Sequence, residues 1–132
     1  MRGRRAAAGG ERGSAVAEFT LVSVVLVTLF LGILQFGLVV HVRNTLVACA
    51  AEGARHAANA DRTLGDGEAR TVQLVAETLS PRLARGISSR YVDGGGARLV
   101  EVEVTTTLPL FGLLGIDRAL TVRAHAVDEA AL

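Results

Sequence analysis

The run Phe19–Val40 constrains this chain more than any other segment. It holds 22 residues without a charge, and Gln35 is its only strongly polar side chain. As a helix it spans about 33 Å at about 1.5 Å per residue, against a hydrocarbon core of about 30 Å. β-Branched residues are frequent (Val22, Val24, Val25, Val27, Thr28). In lipid, however, a lone segment must satisfy its own backbone hydrogen bonds, which leaves helix as the single-pass option. The run also exceeds the apolar core of an ordinary secretory signal, about 7–15 residues.

Charge orients the span. All 14 basic side chains are Arg, and residues 1–13 carry four of them (Arg2, Arg4, Arg5, Arg12) against Glu11. The remaining ten Arg face twelve acids. Arginine ahead of the run and only Arg43 just behind it place the N-terminus in the cytoplasm. The expected organisation is a basic leader over 1–13, a transmembrane helix over 14–42 and an extracytoplasmic domain over 43–132, anchored in the cytoplasmic (inner) membrane. The Arg residues are scattered, Trp is absent and there is one Tyr. No basic, aromatic face appears, so nucleic acid is not an expected partner.

Beyond the span the pattern is α+β. Residues 41–60 are Ala-rich and lack Pro, so the membrane helix is expected to continue to near Asn59. Leu46, Cys49, Ala50, Gly53 and Ala57 share a narrow face of mostly small residues, suited to close approach by another element. Glu52 lies off that face, at helical spacing from Arg55 and His56. Residues 61–67 read as a loop, and a second helix is expected from about Glu68 to Arg85. Its apolar stripe is Val72, Val75, Leu79 and Leu83, with Ala76 beside it. Pro81 should kink it or end it one turn early. Residues 93–96 (Asp-Gly-Gly-Gly) read as a turn or a flexible linker. Two strands follow, Leu99–Leu108 and Ala119–Val127, each alternating apolar with polar. Antiparallel pairing would set Arg123 and His125 across from Glu101 and Glu103. The connection between the strands, Pro109 to Ile116 and on to Arg118, is unusually apolar. It can fold under the sheet, lie on the membrane surface or meet a partner.

No phosphate-binding glycine loop, zinc-ligand spacing or nucleophile elbow is present. The reading therefore carries no catalytic residue, cofactor or metal, and the chain is not expected to be an enzyme. Cys49 is the one cysteine, so no intramolecular disulfide forms. Residues 46–49 (Leu-Val-Ala-Cys) have the form of a lipidation box, and residues 48–50 the small-x-small form of a cleavage site. Both follow the polar stretch 41–45 and neither abuts the apolar core. The plainer reading of Cys49 is a small residue in a closely packed helix.

Glu18 stands at the edge of the span, where a carboxylate is costly and marks a functional hypothesis. The simpler alternative is an interfacial carboxylate that complements a helix N-terminus. The segment Gly13-Ser14-Ala15-Val16-Ala17-Glu18-Phe19 resembles the class III prepilin signal of type IV pilins and pseudopilins. More closely, the chain resembles the TadE-like proteins, minor pseudopilins of tight-adherence (Tad/Flp) pilus systems. Residues 17–22 (Ala-Glu-Phe-Thr-Leu-Val), 32–37 (Gly-Ile-Leu-Gln-Phe-Gly) and 50–58 (Ala-Ala-Glu-Gly-Ala-Arg-His-Ala-Ala) carry that likeness. The terminal strand 120–127 fits it as well. Many relatives have a proline early in the membrane run. None occurs here, so this helix should be straighter. The resemblance implies cleavage between Gly13 and Ser14 by a prepilin peptidase, with Glu18 as fifth residue of the mature chain. It further implies that Glu18 meets the N-terminal amine of a neighbouring subunit. The implied partners are other pilin or pseudopilin subunits, the assembly machinery and membrane lipid. The rival readings are an uncleaved single-pass protein whose outer domain is a structural or protein-binding module, and a lipoprotein modified at Cys49.

Overall fold

The computed structural model describes residues 9–108 and 118–132. The leader residues 1–8 and the apolar connection 109–117 lie outside that range. Two units divide at Gly37, Met1–Gly37 and Leu38–Leu132.

The first helix, α1, runs over Gly9–Ala58. Its apolar run meets the backbone demand of a lipid span within itself. Thr20 and Thr28 donate their hydroxyls to the carbonyls of Val16 (2.9 Å) and Val24 (2.8 Å), so neither leaves a donor open. The side chains of the run are left outside any core: Phe19 is 74% exposed and Phe36 72%. A surface this apolar needs lipid or other helices around it.

The unit Leu38–Leu132 holds the core. The small-residue face of α1 is buried as expected, through Leu46, Cys49, Ala50, Gly53 and Ala57, with Val42, Ala54 and Ala58 added. It packs on the second helix, α2, over Leu64–Thr78. Contact there is backbone to backbone. A Cβ on Gly53 would lie 2.8 Å from the Gly67 carbonyl oxygen and would strike Thr71 Oγ1. A Cβ on Gly67 would lie 2.5 Å from Ala57 Cβ. Thr71, fully buried, closes its own hydroxyl onto the Gly67 carbonyl at 2.8 Å.

The second helix starts earlier than the sequence suggested. Residues 64–67 are helical rather than loop, because Thr63 and Asp66 form a capping box. Asp66 Oδ2 accepts from the Thr63 N–H (2.8 Å), and Thr63 Oγ1 accepts from the Asp66 N–H (3.3 Å). The two satisfy open donors of the first turn reciprocally. The Thr63 backbone and side-chain hydrogen bonds hold the Asp66 carboxyl below its ordinary value. The other end comes as Pro81 requires: α2 stops at Thr78, and Pro81–Ala84 form a 3-10 turn capped by Ser80. The expected stripe needs one correction. Val75 is fully buried and Leu79 and Leu83 pack at the core's edge, but Val72 is 40% exposed. Gly67 and Thr71 take the inward positions instead, because the close crossing with α1 rotates the helix onto its small residues.

Three strands form one antiparallel sheet in the order β1-β2-β3: β1 Ile87–Asp93, β2 Arg98–Leu108 and β3 Arg118–Val127. The first strand was absent from the sequence reading. The turn between β1 and β2 uses Gly95 and Gly96 at positive φ (79° and 136°), where side chains are disfavoured. The inward row of β2 is Val100, Val102, Val104, Thr106 and Leu108, all buried. With Val122 and Ala124 of β3, these residues complete the apolar core that includes the inner face of α1.

The ladder alternates by parity. The Asp128 N–H donates to the Arg98 carbonyl (2.9 Å), while Gly94 donates to Ala97 (2.9 Å) and Thr105 to Gly86 (2.7 Å). Hydrogen-bonded and non-bonded pairs alternate in an antiparallel ladder. Even-numbered β2 residues therefore bond to β3 and odd-numbered ones to β1. It follows that the odd-numbered residues of both β1 and β3 direct their backbone groups away from the sheet.

Candidate functional site

Gly13, Ser14 and Glu18 all lie in the first turns of α1, ahead of the apolar run. The Gly13–Ser14 bond is helical on both sides. Among the described residues, no side chain and no other element would come within 4 Å of a Cβ at Gly13. Ser14 Oγ donates to Glu18 Oε1 at 3.3 Å, one turn along the helix, and both residues are exposed. The structure thus brings Ser14 and Glu18 together on one face. The carboxylate retains capacity for further donors, and in an apolar surrounding it would require one.

The polar face of the sheet is the other concentration of charge. His125 Nε2 lies 2.6 Å from Glu101 Oε2, and Arg90 pairs with the opposite oxygen, Oε1. That second contact is ionic, without the alignment of a hydrogen bond. One row up, Arg123 Nε donates to Glu103. The register sets both rows: Arg90 and His125 are opposite Glu101, and Arg123 is opposite Glu103. Burial works to raise the Glu101 carboxyl. The His125 hydrogen bond and the positive charges of Arg90 and His125 outweigh it and leave the carboxyl below its ordinary value. Glu103 makes the Arg123 guanidinium harder to deprotonate. The cross-strand pairing of Glu101 and Glu103 with His125 and Arg123 follows the sequence reading. The Arg90 contact does not, since it needed β1.

Three further contacts had no clear sequence signal. Ser89 meets Glu68 across 21 residues. Arg98 Nε donates to the buried Asp128 Oδ2 at 2.6 Å. The same guanidinium sits 4.6 Å from the centre of the Tyr91 ring. Cys49 is buried, its Sγ 3.7 Å from Thr78 Oγ1. Glu52 pairs with Arg55 at 3.3 Å, at the surface. Among the described residues no group of three or more His, Cys, Asp or Glu side chains is placed to hold a metal ion.

The extent of the first of these sites coincides with a sequence family. The family model for TadE-like proteins matches residues 13–55. This segment is TadE-like. The match opens on Gly13, takes in Ser14, Glu18 and the whole apolar run, and closes at Arg55 within α1. The TadE-like segment is thus helix throughout, with a candidate single-pass membrane anchor at its centre. The α2 helix and the sheet lie beyond the matched residues. No curated protein and no solved structure matches the chain.

Proposed function

We propose that the chain is a minor pseudopilin, an assembly component of a Tad-type secretion and adhesion pilus. The observation that carries the reading is the TadE-like match opening at Gly13, with Glu18 five residues on and a membrane-length run directly after it. A prepilin peptidase on the cytoplasmic side removes residues 1–13 and frees an α-amine at Ser14. The four leader arginines hold that end in the cytoplasm, and residues from about 43 onward are extracytoplasmic. The Ser14 hydroxyl already reaches Glu18, so the new terminus falls within one turn of the carboxylate. In an assembly, Glu18 takes the ammonium of a neighbouring subunit's Ser14 as its counter-charge. Apolar α1 surfaces then pack side by side, and the ion pair fixes their axial register. The role is one of assembly, with no catalysis and no cofactor.

Replacement of Glu18 tests this. The Glu18→Ala protein should be cleaved nearly as well as the wild type yet fail to enter pilus assemblies, as read by co-purification with the other pilin-like subunits. Undiminished assembly by Glu18→Ala would contradict the assigned role. A second reading is favoured by one observation, that the match ends at Arg55 and leaves the sheet outside it. There the protein stays an uncleaved single-pass anchor for a binding domain, and Glu18→Ala has no effect.

A further inference from the structure

The two edges of the sheet are finished differently. On β1 the outward N–H of Ser89 donates to Glu68 Oε1 at 2.8 Å. The Ser89 hydroxyl also lies within hydrogen-bond distance of Glu68 Oε1 and the Leu64 carbonyl. Glu68 of the second helix thereby covers the middle of that edge. On β3, parity turns the backbone groups of Ala119, Thr121, Arg123, His125 and Val127 outward. Among the described residues, none of these groups has a partner on that side. Their side chains are exposed. The strand contains no Pro, and its register with β2 runs from Leu108↔Arg118 to Leu99↔Val127 without a bulge. Edges left alone are ordinarily blunted by charged side chains, Pro, bulges or a covering element; here Arg123 and His125 supply charge, and both are already paired inward with Glu103 and Glu101. A long, regular open edge is suited to receiving another strand.

Charge selects the occupant. Across the polar face the rows alternate: Arg90, Glu101, His125 in one, and Glu103, Arg123 in the next. The next position in both rows favours an acid. A second copy of β3 is a poor fit, because the strand carries Arg118, Arg123 and His125 and no acid. Self-pairing in full overlap would set Arg123 against Arg123, and in no register does it offer an acid to either cation. On either side, Val127 lies opposite Leu99, and Thr121 contacts Thr105 at 3.2 Å. The pattern that continues the sheet is therefore apolar, acid, acid, threonine at alternate positions. That is also the outer row of β2 itself, Leu99, Glu101, Glu103 and Thr105. Beside the edge lies a groove of about 370 Å³ lined by Ala51, Arg55 and Ala58 of α1 together with Ala126 and Glu129. It has room for small side chains from the inner face of an added strand.

We propose that the outer edge of β3 docks an extended acidic segment of a partner protein, added antiparallel with its acids opposite Arg123 and His125. The inference holds whether or not the leader is removed. It is tested on the full chain in detergent micelles. The probe is a capped peptide with Leu, Glu, Glu and Thr at alternate positions and Ala between them, beside versions with Gln or Lys for Glu. The Glu peptide should slow amide exchange at 119, 121, 123, 125 and 127, and should bind roughly threefold or more tighter than the Gln peptide. The paired swap Glu103→Arg with Arg123→Glu keeps the internal ion pair and should shift the preference toward the Lys peptide. Three results would each overturn the proposal. One is no slowing of those amides by any peptide while the β2–β3 amides stay protected. Another is equal binding of all three peptides. The third is concentration-dependent slowing without peptide, which would make the occupant a second copy.

Discussion

Glu101 shows how position in a sheet sets the behaviour of a carboxylate. It lies on the polar face, yet it is only 6% exposed, because Arg90 and His125 close over it from both neighbouring strands. Its carboxyl is depressed, so its contribution to stability is fully present above the unfolded-state value of about 4.3 and is lost as pH falls through the lower folded-state value. Denaturant unfolding at stepped pH should therefore show stability declining below about pH 4, and Glu101→Gln should flatten that decline. An equally steep acid limb in Glu101→Gln would show that the carboxylate does not carry it. The β3 partner of Glu101, His125, follows from alternation, since one antiparallel register keeps the valines inward and sets both cations opposite both acids. Its burial was not readable, because Arg90 sits in a strand whose residues Ser88-Ser89-Arg90-Tyr91 carry little period-2 contrast. Glu18, by contrast, is singled out by its neighbours in sequence, and what it meets in an assembly lies beyond one chain.

At the scale of elements, glycine and capping explain where the reading went astray. Gly65 and Gly67 made residues 61–67 look like a loop. The box of Thr63 with Asp66 starts the helix there, and Gly67 is inside it for the close crossing with Gly53. Thr63→Ala should cost about 1 kcal/mol by loss of the cap, measurable by thermal unfolding. Gly53→Ala should cost about 1–3 kcal/mol as an overpacked contact, despite the ~1 kcal/mol that alanine gains over glycine in a helix. The obstacle at Gly53 includes the Gly67 backbone as well as the Thr71 hydroxyl, so a rotamer change alone does not relieve it. A stabilised Gly53→Ala protein would contradict the crossing. The β1 strand escaped the reading for a related reason. The outward Ser89 N–H at its middle is met by Glu68, a partner that only the fold brings near.

The whole molecule divides its tasks between two units. Among the described residues the buried apolar core lies from Val42 onward, within the unit Leu38–Leu132. Residues 38–132 produced alone should therefore remain folded and unfold cooperatively, as followed by far-UV circular dichroism. A chain without cooperative melting would show that the core depends on the first unit. Among the described residues, 10–37 contribute no buried side chain, and their exposed Phe, Leu and Val side chains suit a membrane or a bundle of like helices. Under the proposed function this helix is cut to begin at Ser14, so that Glu18 holds the terminus of its neighbour. N-terminal sequencing of the protein extracted from membranes, in cells with an active prepilin peptidase, tests this most directly. The mature chain should begin Ser14-Ala15-Val16-Ala17-Glu18. An N-terminus still at Met1 would contradict it.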